Sequence, residues 1–401
     1  MLVTKRWVLI LFSLLLVAPV SFLRKSPLSS STVPEPDYWP TDDWLVSTPE
    51  EQGMRSELLT QLMDTIHELD LNVQSFLLIR HGYIVFEEYP DPWYHEDRTH
   101  FLASVTKSFM AGLIGIALDK GYIGSLSDRV IDYFSDRTIA NVDTLKEMMT
   151  IRDLLTMKTG MLWDEGSYSY WDSRNSFVQM ENSDDWVQFV LDRPMARFPN
   201  QKWYYNTGAS HLLSALINQT TGNSTLSFAR EHLFTPLGIG QSTWQTDPQG
   251  INPGGFGLDL TPRDTAKYAF LHLHQGMWDG DQIISSGWIA ESTQTHTMLV
   301  YGNGYGYHWI TYPLFNAYAA FGAGGQGIFV FPDYDLIAIV NSEEAVGIPF
   351  TELILNFVLP SFTDVPSAAI IPWKIGFVVL LIMGVSIPFI YVYGFKRRRG
   401  I

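Results

Sequence analysis

The chain has no cysteine among its 401 residues. That absence removes disulfides, thiolate metal sites and cysteine nucleophiles together. Positive charge is also scarce: 26 Lys and Arg against 42 Asp and Glu leave a formal net charge of −16. An acidic chain repels phosphate backbones, so no nucleic-acid partner is expected. Charged residues of both signs make up only 17%, whereas 46% of the chain is hydrophobic and 14% aromatic. This composition excludes a disordered chain and supplies ample material for a core. No internal repeat is present. At roughly 150 residues per domain, the length allows two or three lobes or one large fold.

Long hydrophobic runs lie at both ends. Lys5 and Arg6 precede WVLILFSLLLVAPVSFL, and Arg24 and Lys25 follow it. Residues 1–25 are therefore expected to be a signal peptide or an uncleaved N-terminal anchor. IGFVVLLIMGVSIPFIYVYGF (375–395) spans about 31 Å as a helix, enough to cross a bilayer. A C-terminal transmembrane helix is expected over 371–395, and the basic tail 396–401 (KRRRGI) is expected in the cytoplasm. With that orientation the bulk of the chain is expected to be extracytoplasmic.

Residues 26–44 are rich in Ser, Pro and acid and are expected to be a linker, with the folded domain over 45–362. Leu58, Leu59, Leu62 and Ile66 share one face of an amphipathic helix. VQSFLLIRHGYIVFEEY (73–89) reads as a hairpin turning at His81-Gly82. Short helices and loops rich in Gly, Trp and Tyr occupy about 125–300. Strand patterns return from 303, with Pro332-Asp333-Tyr334-Asp335 as a tight turn, and PFTELILNFVL (349–359) closes the region as a helix. Strands at both ends and helices between them suggest one mixed sheet with an inserted helical lobe.

The stretch FLASVTKSFMAGLIG (101–115) places Ser104 and Lys107 three residues apart at the mouth of an apolar helix running to about Lys120. Residues at that spacing project from one face. A serine in the first helical turn lies where free N–H groups and the helix dipole favour developing negative charge. A lysine partly desolvated by Phe109, Met110 and Ile114 loses preference for its ammonium form, so it can take the serine proton. By itself, S-x-x-K equally describes a serine N-cap beside a solvated lysine.

The surrounding sequence resembles the serine β-lactamase-related hydrolases, which include class C β-lactamases, DD-peptidases, esterases and 6-aminohexanoate-dimer hydrolases. The likeness runs in order through ASVTKSFMAGLIGIALDKGYIGSLSDRVIDYF, TIRDLLTMKTGMLWDE (150–165), QKWYYNTGASHLLSALINQTTG (201–222), LTPRDTAKYA (260–269), YGYHWI (305–310) and GAGGQGIFVFPDYDLIAIV (322–340). It implies an α+β fold, the α/β sandwich of the β-lactamase/transpeptidase type. In that fold an antiparallel sheet comes from both ends of the soluble region. The resemblance also implies Ser104 as nucleophile and Lys107 as its partner. The family's Tyr-x-Asn box then falls on Tyr204-Tyr205-Asn206, with Tyr204 as acid/base group and Asn206 on the lysine or the substrate carbonyl.

The third family box, Lys-Thr-Gly or His-x-Gly on a strand, departs from the pattern. Lys158-Thr159-Gly160 lies before the tyrosine box at a helix end and does not correspond to it. The matching position is Gly322-Ala323-Gly324-Gly325-Gln326, with Ala323 where a cation usually stands. Gly324, Gly325 and Gln326 are expected to contact substrate, the N–H near Gln326 completing an oxyanion hole with that of Ser104. Loss of the cation shifts the expected substrate from β-lactams and D-Ala-D-Ala peptides towards small esters or amides. A catalytically weak ligand-binding or sensing protein is the rival from another class.

No cofactor and no metal is implied. His272 and His274, with His296 later, do not share a helical face or an acidic partner cluster. Asp164-Glu165 and Asp184-Asp185 read as solvated loop carboxylates. The aromatic loop SYSYWDSRNSF (167–177) is a candidate pocket wall, and Asn218 and Asn223 head glycosylation sequons.

Overall fold

The computed structural model describes residues 33–299, 302–343 and 350–364. The expected N-terminal anchor, the transmembrane helix over 371–395 and the basic tail lie outside the described residues. Among the described residues, no helix is long and apolar enough to cross a membrane.

Helix α1 (Ser56–Glu68) buries Leu59, Leu62 and Ile66, as the sequence period requires, and leaves Leu58 half-exposed. It leads into β1 (Val73–Arg80) and β2 (Tyr83–Glu88). His81 and Gly82 both take positive φ (51° and 83°), the pair of left-handed residues that a two-residue hairpin turn needs. The chain then enters the helical lobe, whose long members are α2 (Thr106–Asp119) and α3 (Thr207–Thr221). It returns through α4 (Pro262–Leu273) and α5 (Ser286–Thr293). The remaining strands are β3 (Thr297–Met298), β4 (Gly304–Tyr305), β5 (Ile310–Tyr312), β6 (Ala317–Gly322), β7 (Gln326–Phe331) and β8 (Leu336–Ser342).

These strands form one eight-stranded antiparallel sheet in the order β2-β1-β8-β7-β6-β5-β4-β3. β1 and β8, from opposite ends of the domain, pair residue by residue from Leu77–Ile339 to Arg80–Leu336. All residues of β1, β7 and β8 are buried, because each face of the sheet is covered. One layer holds Leu77, Ile79, Ile328, Val330 and Ile339 together with α2, α3 and α4. The other holds Phe76, Leu78, Phe329 and Ala338 with α1 and the C-terminal turns from Phe350 to Phe362. The antiparallel sheet between two helical layers is the architecture that the family resemblance implies, whereas the segment pattern suggested a mixed sheet.

One boundary moves. The linker expected over 26–44 is folded onto the domain in its described part. Trp39 packs on Phe270, His274 and Trp278, and Trp44 is buried against Phe270. Serine and proline suggested a tether, but packing two indoles, Trp44 buried and Trp39 partly so, outweighs that bias.

Candidate active site

The nucleophile candidate sits on a bend. Ala103–Val105 is a short 3-10 turn that runs directly into α2. Ala103 takes φ +46°, a left-handed conformation that costs a non-glycine residue energy and aims the next side chain outward. Gly322, the last residue of β6, lies against this bend. A Cβ there would stand 2.5 Å from the Leu102 carbonyl oxygen and 3.1 Å from the Ala103 Cβ. Ser104 itself is half-exposed, while every residue from Thr106 to Ala117 is buried.

Lys107 is therefore carried into the interior by an apolar helix, 3% exposed. Its Nζ donates to Ser104 Oγ at 3.1 Å and to the Gly255 carbonyl at 2.9 Å. Burial pulls its pKa down from 10.5 to about 8, against a smaller upward pull from the Glu165 charge. Gly255 is a glycine for a steric reason: a Cβ would lie 2.7 Å from Thr207 Cγ2 and 3.2 Å from Lys107 Nζ. Sequence reasoning did not single it out, although Pro253-Gly254-Gly255 was a visible signal.

The structure corrects the tyrosine. Tyr205 OH, not that of Tyr204, donates to Ser104 Oγ at 2.8 Å, and Lys107 Nζ lies 4.6 Å from the Tyr205 ring centroid. Trp203 and Tyr205 share a face, their rings 6.3 Å apart. Tyr204 points instead to solvent, its ring flanked by Arg197 at 4.3 Å and Lys202 at 4.9 Å. Alternation along an extended segment separates neighbours, so only one of two adjacent tyrosines can reach the serine. Burial and the Glu165 charge push the Tyr205 phenol well above its ordinary value, so it is a phenol at neutral pH.

Moving the tyrosine by one residue makes the box Tyr205-Asn206-Thr207 and gives Asn206 a different task. Its Oδ1 accepts from the Ala209 N–H at 2.9 Å and caps α3. Its Nδ2 is buried with no hydrogen-bond partner among the described residues. Of the expected strand residues, Gly324 and Gly325 take positive φ (84° and 98°) in the turn from β6 to β7, beside exposed Ala323. The Gln326 side chain faces away: Nε2 donates to the Ser342 carbonyl, and Oε1 accepts from Asn341 Nδ2 at 2.8 Å. That amide braces β8 and does not face Ser104.

Glu165 reverses an expectation. It is 2% exposed, not solvated. Oε1 accepts from Thr207 Oγ1 at 2.6 Å and Tyr170 OH at 3.0 Å. Oε2 accepts from the Thr207 N–H at 2.8 Å and Trp163 Nε1 at 2.9 Å. Within the aromatic loop, Tyr170 turns inward to this carboxylate, Phe177 packs on Phe256, and Trp171 is exposed. His308, also missed, is buried between Ser210 Oγ and Tyr305 OH, both at 3.3 Å. Burial and the nearby Lys107 depress it to about 3, which leaves a neutral imidazole.

The chain is similar to several known proteins. The profile of the family described as Beta-lactamase matches residues 60–353. A 6-aminohexanoate-dimer hydrolase of Paenarthrobacter ureafaciens is 22% identical over 255 residues, covering 61% of this chain and 63% of that protein. The beta-lactamase-like protein 2 of Dictyostelium discoideum is 26% identical, covering 36% of this chain and 26% of that protein. The chain thus spans less than two thirds of the length of either curated relative. Among solved structures, a putative 6-aminohexanoate-dimer hydrolase from Bacillus anthracis superposes with TM-score 0.65 at 20% identity, covering 75% of this chain and 80% of that one.

Proposed function

Because the chain belongs to the Beta-lactamase family, whose fold serves esterases, amidases and β-lactamase-like hydrolases, we propose that it is a serine hydrolase acting through an acyl-enzyme on Ser104. The observation that carries this reading is the convergence of Lys107 Nζ and Tyr205 OH on one oxygen, Ser104 Oγ. As a neutral amine, Lys107 takes the serine proton while Oγ attacks the acyl carbon. Tyr205 keeps its proton at neutral pH and delivers it to the departing alkoxide or amine. Water then gives a proton to the Tyr205 oxygen as its hydroxyl attacks the acyl-enzyme, and the Lys107 ammonium returns its proton to Ser104 Oγ as the carboxylic acid leaves. The N–H of Ser104, with one from the Gly322–Gln326 turn, receives the oxyanion.

Ala323 leaves no cation at the strand end for a substrate carboxylate, which favours uncharged esters or amides over β-lactams and DD-peptides. The membrane tether belongs to the same proposal, on the strength of the apolar run at 375–395 and the basic residues after it. A fluorescent, membrane-impermeant fluorophosphonate applied to intact expressing cells tests both parts. Labelling of wild type, but not of Ser104→Ala, is the expected result. If the label appears only after lysis, the outward orientation is wrong. If the folded wild type never labels, the hydrolase reading gives way to the binding-protein alternative.

A further inference from the structure

A buried carboxylate surrounded by four donors, bonded to Thr207 two positions after the catalytic tyrosine, has no place in the mechanism above. Glu165 is not needed as a cap for α3, because Asn206 already performs that task. Nor is it half of an ion pair: its four contacts are a backbone N–H, an indole N–H and two hydroxyls. Only an ionised carboxylate accepts from all four without conflict. Two of the four come from Thr207, which follows Tyr205 and Asn206 directly. Both Lys107 and Tyr205 feel the charge.

We propose that Glu165 is the positioning residue of the Ser104–Lys107–Tyr205 unit, and the inference rests on the serine-hydrolase reading. Its carboxylate clamps Thr207 and so fixes where the Tyr205 hydroxyl meets Ser104. Its negative charge also balances the ammonium that Lys107 becomes once it has taken the serine proton. In a site from which water is largely excluded, a fixed countercharge of this kind favours that proton transfer.

The hydrogen bonds make a clean substitution available. The two donors on Oε2, Thr207 N–H and Trp163 Nε1, cannot reverse. The two on Oε1 are hydroxyls, which can rotate to accept. Glu165→Gln therefore places its carbonyl on the fixed donors and its amide NH2 on the two hydroxyls, removing the charge while keeping the bonds. Other groups that face the pair are His308 and Ser104 on the Lys107 side, and Tyr170, Tyr305 and Glu181 on the Glu165 side. Burial and the Glu165 charge push the Glu181 carboxyl up to about 7, so Glu181→Gln is the control for the pH profile.

The experiment follows the rate of fluorophosphonate labelling from pH 5 to 10 in the full-length membrane-bound protein. In Glu165→Gln the midpoint of the alkaline rise should fall by about 1 unit, because the neutral lysine is no longer opposed by the carboxylate. The limiting rate should fall roughly tenfold as the base weakens. Glu181→Gln should leave the midpoint where it is. Superimposable profiles for wild type and Glu165→Gln, or a rate loss with no change of midpoint, would overturn the proposal while leaving Ser104 as nucleophile. Absence of labelling in wild type removes both readings. If Glu165→Gln does not fold, Thr207→Val decides: a roughly tenfold loss rescued by Thr207→Ser supports the clamp, and wild-type labelling in Thr207→Val refutes it.

Discussion

At the scale of residues, the site depends on which of two adjacent tyrosines faces the serine. Tyr205→Phe deletes the phenol bonded to Ser104 Oγ and should lower kcat/KM for an activated ester by about 10²–10⁴. Tyr204→Phe, at an exposed ring between Arg197 and Lys202, should stay within about twofold of wild type. Steady-state kinetics on both variants settles the assignment, and the reverse order of effects would restore Tyr204. Proton placement follows from the same environment. Burial lowers the lysine and raises the tyrosine, so at mildly alkaline pH the lysine is neutral and the tyrosine keeps its proton, the states that the proposed mechanism needs.

At the scale of elements, α2 is the part that cannot be repacked. It is apolar all round and runs through the centre of the helical layer, so neighbouring helices come close on several sides. Two glycines make this possible. At Gly112 a Cβ would lie 2.5 Å from Tyr268 OH on α4, and at Gly115 2.5 Å from the Trp288 indole on α5. Tyr268 OH in turn donates to the Ser108 carbonyl at 2.7 Å, one turn beyond Ser104. Gly115→Val should destabilise the domain by about 3 kcal/mol, since the buried Trp288 ring has nowhere to move. Urea denaturation measures this, and an unchanged midpoint would show that α2 and α5 can separate without cost.

At the scale of the whole molecule, the reactive lysine opposes stability. Lys107 has a folded pKa of about 8 and an ordinary one of 10.5. Below pH 8 both states are protonated, and the fold carries the full cost of a buried ammonium. Between pH 8 and 10.5 the unfolded chain holds more protons than the folded one, so this contribution to stability rises with pH. Lys107→Met should therefore be inactive yet more stable than wild type, by about 2 kcal/mol at pH 7. The difference should shrink as pH rises through 8 to 10.5. Unfolding curves at pH 7 and 10 check the sign; a gap that widens with pH would mean that Lys107 is not buried as an ammonium. The two ends of the domain meet elsewhere: Arg80, at the end of β1, reaches both oxygens of Asp364 at 2.8 Å and the Gln52 and Gly53 carbonyls.

Patterns that depend on near neighbours were legible before any fold was known. The period of α1, the His81-Gly82 turn, the Ser104–Lys107 spacing and the strand pattern after 303 all survive, because each is written within a few residues. The order of segments suggested one sheet with an inserted helical lobe, and the family resemblance supplied the α+β class. What the sequence could not decide were choices made by distant contacts. Tyr204 and Tyr205 are the same residue type, and Trp203 and Tyr305 decide which side of the segment is inside. Glu165 looks like any loop acid until Thr207, Trp163 and Tyr170, up to 42 residues away, surround it. The Gln326 side chain, which the sequence leaves unplaced, is taken up by β8 and leaves only its backbone N–H for an oxyanion. Chemistry of single residues is local, but burial and charge are set by whatever the chain folds against, and those settle which groups react.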